Sequence, residues 1–418
     1  MDGTVINSQT VKETVVKIVQ SQEVTDIHTH LFSPAFGGLL LWGIDDLITY
    51  HYLIAETFRK AQISYERYWA LSKTEQADLI WQTLFIENSP ISEACRGIIT
   101  TLNELGLDVK SRDLQSYRDY FASMNVEDYV EVVFELAQVK EVVMTNDPFD
   151  PIERPVWLSD LTGDPRFHAA LRMDALLNTY HETGCEQLSA WSYNVDPMLS
   201  ETALGEIRRF LEDWIRRIQP KYMAVSLPPD FQFPEDSARG KIIEMCILPV
   251  SREFNVPFAL MIGVKRAVNP QLGLAGDGMG KADLASLEHL LCKHPDNKFL
   301  ATLLSRENQH ELCVLGRKFR NLMIFGCWWF MNNPSIIEEI TRERIELLGL
   351  SVIPQHSDAR ILDQLIYKWK HSRQIVADIL VEKYQDLLDS GWALTQAEIE
   401  RDVAGLFGGN FHRFVDGQ

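Results

Sequence analysis

Residues 24–32 read Val24-Thr25-Asp26-Ile27-His28-Thr29-His30-Leu31-Phe32, a β-branched and apolar run brought to a stop by Ser33-Pro34. Such a run bounded by breakers reads as a strand. Side chains alternate across a strand, so Asp26, His28 and His30 are expected on one face. Two imidazoles at i and i+2 on a strand end can reach one divalent ion, at nitrogen–metal distances of roughly 2.0–2.1 Å. The plainer alternative is a pair of part-buried histidines bonded to backbone groups. The surrounding sequence decides between them.

Residues 11–20 have the apolar spacing of a short lead-in helix. From about 45 to 135 the chain reads as helical and aromatic-rich (Tyr65, Tyr68, Trp69, Trp81), without a strand–helix beat. This stretch is expected to be an insertion after the first strand. Beyond it, short apolar runs end in polar residues and alternate with helical stretches. Val139 to Met144 precede Thr145-Asn146-Asp147-Pro148, Phe167 to Leu171 precede Arg172-Met173-Asp174, and Tyr222 to Leu227 precede Pro228-Pro229-Asp230. Pro257 to Ile262 precede Gly263-Val264-Lys265-Arg266, Phe299 to Leu304 precede Ser305-Arg306-Glu307, and Leu322 to Gly326 precede Cys327-Trp328-Trp329. A helix follows Asn333-Pro334 and stops at Gly349, with Ile336, Ile337, Ile340, Leu347 and Leu348 on its apolar face. Leu350 to Ile353 supply an eighth strand before Pro354-Gln355-His356-Ser357-Asp358. Strands alternating with helices indicate a parallel sheet, and eight such units indicate a closed α/β barrel of the (β/α)8 TIM-like type. Residues 1–418 then form a single barrel domain, with C-terminal helices from about 361 to 418 packed outside it. A doubly wound sheet would need a Gly-rich phosphate loop after an early strand. The best candidate, Gly276-Asp277-Gly278-Met279-Gly280, follows no such strand and reads as a flexible loop.

The formal net charge of −19, from 40 Lys+Arg against 59 Asp+Glu, argues against nucleic acid and anionic membranes as partners. An anionic substrate would need a local cluster of arginine or lysine. The six cysteines are isolated, with neither a disulfide framework nor a zinc ribbon in their spacing. No apolar leader and no 18-residue apolar run occur, so a cytoplasmic location is expected.

A catalytic metal usually has three protein ligands and an open position. Asp358 is the candidate third ligand, because the first and eighth strands of a closed barrel are neighbours. In isolation it would read as the N-cap of a helix near Ala359. Arg360, two residues on, is placed to hold an anion or polarise an oxygen, although a lone arginine is more often structural.

Asp26-Ile27-His28-Thr29-His30-Leu31 resembles the opening D-x-H-x-H-L of the uronate isomerases, a divergent branch of the amidohydrolase superfamily. Further segments match in order. His51-Tyr52 is similar to the family's H-Y pair, Met124-Asn125-Val126 to its M-N-V, and Asn146-Asp147-Pro148-Phe149-Asp150 to its D-D-P-x-D. Arg172-Met173-Asp174 resembles R-x-D, and Ser305-Arg306-Glu307-Asn308 loosely resembles P-R-D-N. Gly326-Cys327-Trp328-Trp329-Phe330 matches G-x-W-W-F, and Ser357-Asp358-Ala359-Arg360 matches T-D-S-R. Two departures stand out. Met261 occupies the fifth-strand position where typical members carry histidine, and the insertion after the first strand is hard to match, as in a shorter, divergent branch.

The resemblance implies aldose–ketose isomerisation of a hexuronate, glucuronate to fructuronate or galacturonate to tagaturonate, by a homo-oligomeric enzyme. A thioether is a poor ligand for a hard cation, so one divalent metal is expected on His28, His30 and Asp358, zinc first and manganese second. Asp358 is then the candidate base. His51 and Tyr52 would move the proton at the other carbon, and Arg172, Arg266, Arg306 and Arg360 would hold the sugar acid, since the arginine fork suits carboxylates. Trp328 and Trp329 would give the sugar a stacking wall. The rivals are a metal-dependent lactone or amide hydrolase and a sugar-acid binding protein without turnover. Ser226-Leu227, Met261 and Leu304 at the fourth, fifth and sixth strand ends lack the ligands that hydrolysis by this superfamily uses.

Overall fold

The computed structural model describes residues 4–159 and 163–417. Seven parallel strands, β1 (Val24–Thr29), β2 (Val139–Asn146), β3 (Phe167–Arg172), β4 (Met223–Leu227), β5 (Phe258–Ile262), β6 (Phe299–Leu303) and β7 (Leu322–Ile324), pair consecutively in one curled sheet. Alternate residues divide the sheet between two cores. Val225, Leu227, Leu260, Ile262, Ala301 and Leu303 face outward against helices, while Tyr222, Ala224, Ala259, Met261 and Leu300 fill the interior. Both faces are buried, as parallel strands require, and this accounts for their nearly continuous apolar runs.

No regular strand forms at Leu350–Ile353, contrary to the sequence expectation. Phe325 and Ile353 make a single parallel bridge, and the irregular segment beyond it takes the eighth position. Gly326 N donates to Ile353 O (2.8 Å) on one side. On the other, Asp358 N donates to His28 O (3.1 Å) and His30 N to Ala359 O (2.7 Å). These bonds close the (β/α)8 barrel. Pro354 lacks the N–H that a regular ladder needs, which is one reason the strand breaks there.

Between β1 and β2 the chain runs through helices that include α2 (His51–Thr57) and α3 (Val126–Ala137), after the lead-in α1 (Val11–Ser21). Asn125 caps α3 by accepting from Glu127 N and Asp128 N. Following β7, α4 (Pro334–Leu348) begins where the Asn333 side chain accepts from Ile336 N and stops at Gly349, whose φ is 62°. The long α5 (Gln364–Asp389) packs on α1, α3 and α4 outside the barrel. Its first turns nevertheless reach inward: Lys368 Nζ donates to Ser357 O (2.6 Å) and Trp369 Nε1 to Asp26 (2.8 Å). The last helix, α6 (Asn410–Asp416), lies across the barrel floor, where Phe411 joins the interior cluster. Gly278–Met279, read as part of a flexible loop, instead pair antiparallel with Val264–Lys265. Among the described residues no helix is long and apolar enough to cross a membrane.

Candidate active site

β1 does not keep strict alternation. Its register against β2 shifts between Asp26 and Thr29, so one extra residue intervenes. Ile27 therefore packs in the interior beside Val143, Ala170 and Tyr222, and His28 also lines the cleft at the strand's end. Asp26 is turned away from the histidines, contrary to the one-face expectation. It accepts from Trp369 Nε1 and from Ser357 N (3.0 Å), and burial raises its pKa to about 6.

His28, His30 and Asp358 converge. Asp358 Oδ1 lies 3.7 Å from His28 Nε2 and 3.4 Å from His30 Nε2, and one ligand atom from each residue falls within 4.8 Å of the others. Asp358 itself sits at φ 53°, an uncommon backbone state for a residue other than glycine. Its Oδ1 is buried without a hydrogen-bond donor. Burial pushes the His28 imidazole down to about 3 and holds His30 well below the usual histidine range, so both rings are neutral near pH 7. Two neutral imidazoles and a carboxylate oxygen without a donor thus face one another. Tetrahedral zinc with ligands at roughly 2.0–2.2 Å sets adjacent ligand atoms about 3.4 Å apart. The two spacings to Asp358 lie close to that requirement, and the donor set of two imidazoles and a carboxylate fits a divalent cation.

The triad opens into a cleft that is also lined by His51, Arg172, Arg266, Trp328, Trp329 and Arg360. His51, in the first turn of α2, accepts from Trp329 Nε1 through its Nε2 (3.2 Å), and burial pushes it down to about 3. Arg172 at the end of β3 pairs with Asp174 (3.0 Å). Arg266 pairs with Asp277 (2.6 Å) and lies over the Trp329 ring at 6.0 Å. The Arg360 guanidinium makes no hydrogen bond or ion pair among the described residues. An acidic protein thereby presents three arginines to one cleft.

Two expected residues lie elsewhere. Arg306 is exposed and pairs with Glu339 (2.8 Å) on α4, outside the cleft. Tyr52 does not line the cleft: its ring packs against Tyr50, His51 and Phe330, and it is Tyr50 and His51 that face the opening. Met261 lines the cleft at the end of β5. Tyr50, Thr145, Asp174 and Ser226 also line it but were not anticipated. Thr145 and Ser226 occupy strand ends, which is the signal that could have found them. His356 is fully buried beside His28, with ring centroids 5.2 Å apart, and no local sequence feature marks it.

No protein-family model and no curated protein matches the chain. Solved structures do. A uronate isomerase from Bacillus halodurans C-125 superposes with TM-score 0.97 and 59% identity, covering 99% of this chain and 98% of that one. A uronate isomerase from Thermotoga maritima gives TM-score 0.77 at 16% identity, with 98% of each chain covered. A glucuronate isomerase from Caulobacter crescentus gives 0.76 at 14%, covering 98% of this chain and 95% of the other. The last two share the fold across nearly the whole length.

Proposed function

The chain belongs to the uronate isomerase family, and from that premise we infer that it interconverts hexuronate aldoses and ketoses, glucuronate with fructuronate and galacturonate with tagaturonate. The observation that carries this reading is the meeting of the His28–His30–Asp358 triad with three arginines and His51 in one cleft. Isomerisation moves the C2 proton to C1 and redistributes protons on O1 and O2. It needs a base, an acid on the other carbon's side and a clamp for the carboxylate.

Asp358 suits the base. One of its oxygens faces the imidazoles, and the other is left to take the C2 proton. His51 is the candidate partner that returns a proton, and its bond from Trp329 fixes the ring's direction. Positioned proton transfer of this kind contributes about 10²–10⁴-fold. Arg172, Arg266 and Arg360 are the groups to bind the C6 carboxylate and exposed hydroxyls, where charge-assisted bonds are strongest. Tyr52, one residue behind His51, acts through packing in this reading rather than on the sugar. The Trp329 face and the buried Trp328 form the sugar's apolar wall. His28, His30 and Asp358 would hold one divalent cation, zinc before manganese, which when bound orients the sugar oxygens and polarises the carbonyl.

Incubating the protein with glucuronate or galacturonate in deuterated water tests the reading. Ketose carrying deuterium at C1 is the expected product. Cleavage of a lactone with no uronate turnover would establish the hydrolase instead.

A further inference from the structure

Both ligand histidines are held from behind by the same arrangement of atoms. The Tyr222 hydroxyl lies 2.8 Å from the Ile27 carbonyl and 2.9 Å from His28 Nδ1. The Thr145 hydroxyl lies 3.0 Å from the Thr29 carbonyl and 2.8 Å from His30 Nδ1. A hydroxyl has one proton, and a carbonyl oxygen only accepts. Each hydroxyl proton therefore goes to the carbonyl, which leaves Nδ1–H as the only partner the hydroxyl oxygen can satisfy. A neutral ring with its proton on Nδ1 has its lone pair on Nε2, the atom facing Asp358.

We propose that Tyr222 and Thr145 are positioning residues that select the metal-binding tautomer of His28 and His30, and that α6 holds Tyr222 in place for that task. The proposal rests on reading His28, His30 and Asp358 as ligands of one divalent cation. Without the Tyr222 hydroxyl, the His28 proton gains by moving to Nε2, where the unpartnered Asp358 Oδ1 is the nearest acceptor. That proton would occupy the place of the cation.

The hold on Tyr222 comes from below. Its ring is fully buried and meets Phe411 edge-to-face, with centroids 6.2 Å apart at 88°. Phe411 is itself fully buried on α6. That helix is pinned to the barrel floor from several sides: Asn410 Nδ2 donates to Leu350 O (2.7 Å) and Val352 O (2.8 Å), Lys298 Nζ donates to Val415 O (3.2 Å), and His412 Nε2 bonds Glu141 (2.8 Å). A residue near the C-terminus thus supports a ligand on the first barrel strand. Phe411 has no contact with the cleft.

The test uses full-length protein stripped with a chelator and titrated with Zn²⁺ against a chromophoric competitor. Tyr222→Phe and Thr145→Val are each expected to weaken zinc binding about 10–100-fold, the usual effect of removing a partner behind a ligand. Thr145→Ser keeps the hydroxyl and is expected to stay within about threefold of the wild type. Phe411→Ala is expected to weaken binding several-fold, with Phe411→Leu in between. Independently, ¹⁵N spectra of the stripped wild type are expected to show Nδ1–H on both His28 and His30, with His28 changed in Tyr222→Phe. Wild-type affinity in Tyr222→Phe and Thr145→Val, or Nε2–H rings in the wild type, would overturn the proposal. Failure of the wild type to bind zinc at all would overturn the ligand reading itself, a result distinct from either.

Discussion

Replacing Asp358 with asparagine is expected to raise the melting temperature of the metal-free protein while removing its activity. The carboxylate oxygen that faces His28 and His30 at 3.7 and 3.4 Å has no donor, and both imidazoles present acceptors to it. A buried acceptor left in that state costs about 1–3 kcal/mol. The asparagine amide can turn an N–H toward Nε2 and relieve it, and asparagine accepts the φ of 53° at this position at least as well as aspartate. Against this gain, the buried Lys368 loses a neighbouring anion. It keeps its bond to Ser357 O, which limits that loss. A net gain near 1–2 kcal/mol remains. Unfolding entropy of about 2.1 cal/mol/K per residue, taken over the 418 residues, converts it to a rise of about 1–2 °C. Zinc at about 100 times its Kd should add about 2.7 kcal/mol, or about 3 °C, to the wild type and little to the variant. The order of melting temperatures therefore reverses when zinc is added. Scanning calorimetry with and without zinc reads the crossing, and a uronate assay reads a loss of at least about 10²-fold. A metal-free variant that melts below the wild type would refute the picture of three facing acceptors, as would equal gains from zinc.

Other perturbations probe the cleft and its frame. Arg360→Ala is expected to lower kcat/KM about 10–100-fold, the worth of a charge-assisted bond, while Arg306→Ala stays within about twofold. Steady-state kinetics giving equal losses would mean that Arg306 reaches the sugar after all. Gly326 has φ of 60°, and a methyl group there would overlap the buried His356 ring. Gly326→Ala is accordingly expected to lower the melting temperature by about 3 °C or more, from a cost of about 3 kcal/mol for combined strain and overlap, and a neutral result would show that the ring has room to move. Hydrogen bonds from His168 and His412 hold the Glu141 carboxyl well below its usual range, and Glu141 in turn raises His412. The raised histidine stabilises fully below about pH 6.5 and loses its contribution as pH climbs through its folded value, whereas the depressed carboxyl stabilises above about pH 4.5. His412→Gln should thus cost about 1 °C near pH 6, after allowance for a part-exposed pair, and less near pH 9. A pH-independent difference in melting temperature would rule out the ion pair as its source.

The strands with regular ladders were the legible part of the fold. Runs such as Phe258 to Ile262 and Phe299 to Leu304 are largely apolar because both faces are buried, and polar residues follow where each ends. Arg172, Trp328 and Trp329 were readable for the same reason. Arg306 was misplaced because a strand end fixes where the chain emerges and not which way a long side chain turns. There Glu339, on α4, draws the guanidinium outward. Tyr222 and His356 carried no local signal, since a buried hydroxyl or imidazole gains its role from partners on distant strands.

Asp358 shows why the least regular part of the barrel is also its most chemical part. A regular eighth strand would place its side chains alternately in and out and commit its N–H groups to both neighbours. Here the chain leaves strand geometry after Ile353, yet still closes the barrel through Asp358 N on His28 O and His30 N on Ala359 O. The two bonds lock the backbone of the third candidate ligand onto the strand that carries the other two. The shifted register of β1 does the complementary part, turning His28 into the cleft where strict alternation from Ile27 would have pointed it outward. Closure of the fold and assembly of the site are therefore one event. Substitutions that restore strand regularity at either seam should cost metal affinity before they cost stability.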